Sequence, residues 1–171
     1  MSVFLIGYRG SGKSTVGRRL ADRLWQTFLD SDELIVKQAG MTIKAIFEAE
    51  GEVGFRDRET LVVRELAMLD EQVVALGGGA VLREENRKAI HDRGHKVIYL
   101  RCEPEELHRR IQGDPATAAN RPALSTLGGG IEEVRAKLAE REPIYRATMS
   151  AELDVTNLSP EDATVYIARM L

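Results

Sequence analysis

Short apolar runs alternate with amphipathic stretches along the chain. Val3-Phe4-Leu5-Ile6 reads as a buried strand, and Ser14 to Leu24 then places Val16, Leu20 and Leu24 at helical spacing. A short strand is expected at Thr27-Phe28-Leu29, ending in Asp30-Ser31-Asp32. Thr42 is a candidate cap for a short helix through Ala49, and Phe55 to Leu69 sets Phe55, Val62, Leu66 and Leu69 along another helix. Gln72 to Leu76 reads as a buried strand stopped by Gly77-Gly78-Gly79. Arg83 to Arg93 is a polar helix closed by Gly94, Lys96 to Leu100 is the next strand, and Pro104 to Ile111 is a helix with proline in its first turn. Ile131 to Thr148 is helical in character, with Pro143 expected to bend or interrupt it. Leu153-Asp154-Val155 is a last strand, and Ser159 caps a final helix beginning at Pro160. This alternation predicts an α/β fold, a parallel sheet of about five strands with helices on both faces. Ligands are then expected at the carboxyl ends of the strands.

Gly113 to Gly130 breaks the rhythm, being rich in Gly, Pro, Ala, Ser and Thr without a clear period. Structureless segments longer than about 12–15 residues are uncommon inside compact domains and are often lids or disordered insertions. A single domain over residues 1–171, with a lid at 113–130, is the expected organisation. The net charge of −3 offers no broad basic surface for nucleic acid, so anionic ligands need local arginine and lysine clusters. Cys102 is the single cysteine, which excludes an internal disulfide and fits a small buried residue better than a nucleophile. His91, His95 and His108 show no metal-ligand spacing. No apolar run approaches the about 18 residues of a spanning helix, and no charged leader precedes the first strand, so no membrane partner and a cytoplasmic location are expected.

The most chemical stretch is Gly7-Tyr8-Arg9-Gly10-Ser11-Gly12-Lys13-Ser14-Thr15, a G-x-x-x-x-G-K loop followed by Ser and Thr, set between a strand and a helix. Glycines let backbone N–H groups at Gly10, Ser11 and Gly12 curl around an anion, and the helix N-terminus adds its dipole. Lys13 supplies a point charge for the β- and γ-phosphates of a nucleotide, and the Ser14 hydroxyl is a candidate Mg²⁺ ligand. Asp30 and Asp32 follow the second strand and are expected to point the same way in an extended or turn segment. One suits Mg²⁺ through water and the other the proton of an attacking hydroxyl, though D-x-D alone is more often a solvated turn or a cap. Arg56 and Glu59 lie three apart on one helical face. They form either a solvated charged run or a substrate grip in which Arg56 forks onto a carboxylate and Glu59 orients it. Three consecutive glycines, Gly77 to Gly79, are more than a tight turn needs and favour close approach of a ligand over a plain turn. Arg121, in the long loop, is a candidate to close over a γ-phosphate, and Arg141 to reach the same pocket.

In order, these elements resemble the shikimate kinases: GxxGxGKST, DxD, FR with a following Glu, GGG, an RP lid element and RxPxY. The matching residues are Gly7 to Thr15, Asp30-Ser31-Asp32, Phe55-Arg56 with Glu59, Gly77 to Gly79, Arg121-Pro122 and Arg141-Glu142-Pro143-Ile144-Tyr145. The resemblance implies the nucleoside monophosphate kinase fold with strand order 2-3-1-4-5. It also implies ATP-dependent phosphorylation of shikimate to shikimate 3-phosphate, with ATP and Mg²⁺ as cofactors and a monomeric enzyme. By the same resemblance Lys13 and Ser14 serve ATP and Mg²⁺, Asp30 supports the metal, and Asp32 acts on the hydroxyl that is phosphorylated. Arg56 and Arg141 hold the substrate carboxylate, Glu59 braces them, and Gly78 and Gly79 meet the substrate with backbone. Arg121 is implied as the lid arginine and Arg110 as the residue beside adenine, with Arg109 close enough to compete. The chain departs from the family pattern at Val36, where many members carry Glu, at Ala123 in the lid, and in a longer 113–120 segment. The competing readings are another small-molecule kinase of the same fold, such as a gluconate kinase, and a nucleotide-binding module without catalysis.

Overall fold

The computed structural model describes residues 1–115 and 129–171. Five strands, β1 (Val3–Ile6), β2 (Thr27–Asp30), β3 (Gln72–Ala75), β4 (Lys96–Arg101) and β5 (Ala151–Asp154), form one sheet in the order β2-β3-β1-β4-β5. Every pairing is parallel, with Phe4 opposite both Val74 and Val97 at the centre. The seven helices among the described residues are α1 (Lys13–Leu24), α2 (Ser31–Ala39), α3 (Ile43–Ala67), α4 (Glu84–His91), α5 (Pro104–Gln112), α6 (Ile131–Thr148) and α7 (Pro160–Met170).

Parallel strands covered on both faces read as continuous apolar runs, and β1 is buried at all four positions. Its neighbours contribute Val73, Val74, Val97, Ile98 and Leu100 to the same core, with Leu20 of α1 and Ile167 of α7 packed over it. Cys102 is free and buried, as expected, and burial pushes its thiol pKa up. Among the described residues no helix is long and apolar enough to cross a membrane.

Three expectations change. Residues 31–39, for which no helix is expected from the sequence, form α2 directly after β2. The two helices expected on either side of residue 51 run into each other across a kink at Gly51, whose φ of 70° and ψ of −175° lie outside helical values. Pro143 does not interrupt α6, which continues through it to Thr148 and buries Arg141 and Tyr145. The lid expected at 113–130 falls mostly in residues 116–128, outside the described residues, as do Arg121, Pro122, Ala123 and Leu124.

Candidate active site

The phosphate loop leaves the carboxyl end of the central strand and delivers Lys13 as the first residue of α1. Gly10 and Gly12 hold φ values of 83° and 93°, a left-handed conformation that side-chained residues avoid, so these positions need glycine. Lys13 is buried, and its Nζ donates to the carbonyls of Gly7 at 2.8 Å and Tyr8 at 2.9 Å. The side chain thus arches over the loop. The surrounding cleft, about 1030 Å³, is lined by Gly10 to Thr15, Asp30, Asp32, Arg110 and residues 155–160.

Ser14 Oγ donates to Asp30 Oδ2 at 2.6 Å. Asp30 also caps α2, its Oδ1 accepting from the N–H groups of Asp32 at 2.9 Å and Glu33 at 3.4 Å. That cap corrects the expectation that Asp30 and Asp32 point the same way. A helix begins between them, so Asp30 turns to Ser14 while Asp32 turns to the triglycine segment. A Cβ placed on Gly77 would meet Asp32 Oδ1 at 2.7 Å and Glu59 Oε2 at 3.2 Å.

A second cavity adjoins the first and is lined by Arg56, Glu59, Arg141, Phe47, Phe55 and the glycines 77–79. The three-residue spacing of Arg56 and Glu59 becomes an ion pair, Nη1 to Oε1 at 2.7 Å, in which Glu59 is almost wholly enclosed. Burial raises the Glu59 pKa to about 7, against the opposing pull of Arg56. Arg141, on α6, is 5 % exposed and lies with its guanidinium carbon 5.8 Å from the Tyr8 ring centroid. One buried and one largely enclosed cation facing one small cavity fit an anionic ligand better than an apolar one.

Arg9, Asp32, Ile43, Gly77 and Gly78 line both cavities, so the two spaces meet at this point. Arg109 and Arg110 both line the first cleft and differ in their partners. Arg110 reaches across to the β5–α7 loop, donating to the carbonyls of Val155 at 3.0 Å and Thr156 at 3.4 Å, whereas Arg109 is exposed and paired with Glu106. The two arginines together hold the Glu106 carboxyl at about 2. Asp154 shapes the loop that Arg110 touches, accepting from Thr156 N at 3.0 Å and Thr156 Oγ1 at 2.6 Å.

Three residues escaped the sequence reading as site components. Ser31 Oγ accepts from the Gly77 N–H at 2.9 Å and anchors the triglycine turn. The Tyr145 hydroxyl donates to the Gly78 carbonyl at 2.5 Å, and burial raises its pKa. Arg9 lies at the meeting of the cavities although it occupies a variable position of the loop. The available signals were a hydroxyl between two carboxylates, a tyrosine four residues after an arginine on one helix, and a cation inside a phosphate loop.

A set of three or more His, Cys, Asp or Glu side chains able to hold a metal by themselves is absent among the described residues. The donors that do converge, one hydroxyl and one carboxylate beside an anion-binding loop, fit a hard cation carried largely by phosphate oxygens and water.

The family model for shikimate kinase matches residues 9–171 of the chain. A shikimate kinase from Symbiobacterium thermophilum is 43 % identical over 171 residues, covering 100 % of this chain and 96 % of its own. One from Chromobacterium violaceum is 46 % identical, covering 98 % of this chain and 86 % of its own. Among solved structures, the shikimate kinase from Acinetobacter baumannii in complex with shikimate superposes with a TM-score of 0.91 at 38 % identity, over 99 % of this chain and 91 % of that one. A gluconokinase from Sinorhizobium meliloti, at TM-score 0.60 and 17 % identity over 99 % of this chain and 92 % of that one, shares the fold alone.

Proposed function

The chain belongs to the shikimate kinase family, and we propose that its two adjoining cavities carry ATP and shikimate so that the γ-phosphoryl group passes between them to give shikimate 3-phosphate and ADP. The observation that carries this reading is Asp32, which lines both cavities at the one place where a donor phosphate and an acceptor hydroxyl meet.

Phosphoryl transfer demands positioning and charge neutralisation more than covalent help from the protein. Gly10 to Thr15 surround the nucleotide's phosphates with backbone N–H groups, and the Lys13 ammonium, already aimed along the loop, counters their charge. Ser14 and Asp30 are the residues that would hold Mg²⁺. When bound, Mg²⁺ would supply charge neutralisation at the phosphates. Arg110 and the loop it touches flank the adenine end of the cleft.

Arg56 and Arg141 grip the shikimate carboxylate in the second cavity, which leaves the far side of the ring toward Asp32. Asp32 accepts or orients the proton of the hydroxyl that is phosphorylated. Glu59 holds Arg56 in place, and the glycines 77–79 present backbone to the ring without side chains in the way. Arg121, which lies outside the described residues, is assigned by the family resemblance alone to countering charge on the transferred phosphoryl group.

The test is a coupled assay of ADP release with shikimate, quinate and gluconate side by side. The reading expects turnover dependent on shikimate, with gluconate far slower. Equal or greater turnover of gluconate overturns the substrate, and ATP binding without any shikimate-dependent ADP release makes the protein a binding module.

A further inference from the structure

Arg9 is the third arginine around the acid cavity, and neither of the other two shares its position. Arg56 is tied to Glu59, and Arg141 lies over Tyr8, and neither lines the nucleotide cleft. Arg9 instead lines both cavities, and of the described residues that do so only Arg9 and Asp32 carry charge. Its backbone is fixed there on two sides. The Ser11 N–H donates to the Tyr8 carbonyl at 3.2 Å across it, and its own nitrogen lies 3.4 Å from where a Cβ on Gly78 would stand. Its Nε is buried and has no hydrogen-bond acceptor among the described residues. A buried donor left unsatisfied costs free energy that an arriving anion recovers.

We propose that Arg9 serves the phosphate end of the acid site: its guanidinium meets the phosphoryl group as it arrives on the acceptor hydroxyl and then holds the phosphate of the product. The charge balance calls for such a group. Transfer adds close to two negative charges to a ligand that enters as a monoanion, and it adds them next to the Asp32 carboxylate. Arg56 and Arg141 are committed to the carboxylate at the other end of the cavity. A cation at the boundary offsets the repulsion from Asp32 and does so only in states that contain the phosphoryl group, which favours the transition state and product over the bound substrate.

This inference rests on the reading of the second cavity as the shikimate site, and turnover of shikimate by the unaltered chain tests that reading separately. The test of Arg9 is calorimetric titration of shikimate and of shikimate 3-phosphate into the unaltered chain and into R9M, R9Q and R9K. Loss of one hydrogen-bonded cation is expected to weaken shikimate 3-phosphate by about 10- to 100-fold in R9M and R9Q, while shikimate changes by less than about threefold. R9K, which keeps the charge, is expected to recover part of the loss, and retained shikimate binding shows that each variant is folded. Equal weakening of both ligands, weakening of shikimate alone, or no change in product affinity would overturn the assignment.

Discussion

The Arg56 guanidinium lies directly against Gly79: a Cβ built there would stand 2.4 Å from Nη2 and 2.5 Å from Nη1. The absence of a side chain at residue 79 is therefore what lets Arg56 lie across the turn while pairing with Glu59. In Gly79→Ala the flexible guanidinium is the part that yields, so the fold survives and the grip on the carboxylate is lost. The expected outcome is a rise in KM for shikimate of between about 10- and 100-fold, the scale of a displaced positioning group, with KM for ATP nearly unchanged. Steady-state kinetics with each substrate varied in turn checks this, and an unchanged shikimate KM would show that Arg56 does not bind the acid.

Asp32 lines the junction of the cavities and Asp30 does not touch the second one. Asp32→Asn keeps the shape and removes the proton acceptor. Turnover should fall by about 10²- to 10⁴-fold, the range of a lost general base, while nucleotide affinity stays close to that of the unaltered chain. Near-normal kcat would remove Asp32 from the chemistry.

Ser31 is fully buried and accepts the Gly77 N–H. Ser31→Ala leaves that amide without its partner at a cost of about 1–3 kcal/mol. For a domain of this size each kcal/mol lowers Tm by about 2–4 °C. Calorimetry should show that drop together with a weaker shikimate KM, because the turn facing the substrate loses its anchor. A lower Tm with unaltered shikimate KM would confine Ser31 to stability.

Glu59 sets a pH dependence whose sign follows from its environment. Its pKa, raised from 4.5 to about 7 by burial, rises further when a substrate carboxylate binds beside it, so binding takes up a proton. Shikimate affinity is therefore expected to be greatest below pH 7 and to decline as pH rises through about 7, with Glu59→Gln flattening the profile. The same group holds a proton in the folded chain that the unfolded chain releases, so its contribution to stability also declines from the ordinary carboxylate range up to about pH 7. Titrations from pH 6 to 8.5 in buffers of different ionisation enthalpy read both the affinity and the proton uptake. A profile identical in the Gln variant would assign the slope elsewhere.

Trp25 ends α1 in a left-handed conformation, φ 57° and ψ 37°, with 96 % of its surface exposed. Helices commonly place glycine at such a position because a side chain strains it. Trp25→Gly is expected to stabilise the chain by about 0.5–1 kcal/mol, the strain relieved less the added freedom of the unfolded chain. Denaturant unfolding measures it, and kcat should not change, since residue 25 lies outside both cavities. Destabilisation would mean that the indole makes a contact worth more than the strain.

Much of the site was legible because its chemistry is local. The phosphate loop needs glycines, lysine and a hydroxyl in one contiguous stretch, and Arg56 meets Glu59 because helical spacing puts residues three apart on one face. Asp30 and Asp32 failed as a local inference for an equally local reason. The sequence shows two carboxylates two apart, and whether they align depends on whether the backbone between them is extended or turns into a helix. Asp30 itself decides this by capping α2, a short helix whose apolar residues Leu34, Ile35 and Val36 are consecutive and carry no clear period.

The sequence by itself determined the kind of fold and the identity of the reactive groups, since strand and helix periodicity, loop chemistry and an ordered set of motifs are all properties of neighbouring residues. Only the tertiary structure decided how those groups are shared between two cavities. Arg9, Ser31 and Tyr145 acquire their places by contact with the triglycine turn, 67 residues from Tyr145 and 46 from Ser31. It likewise decided that Arg110 reaches the β5–α7 loop while Arg109 stays exposed beside Glu106, although both line the cleft, because one helical step rotates a side chain by about a quarter turn. The raised pKa of Glu59 belongs to the same class: it comes from enclosure by elements distant in the chain, which no local pattern encodes.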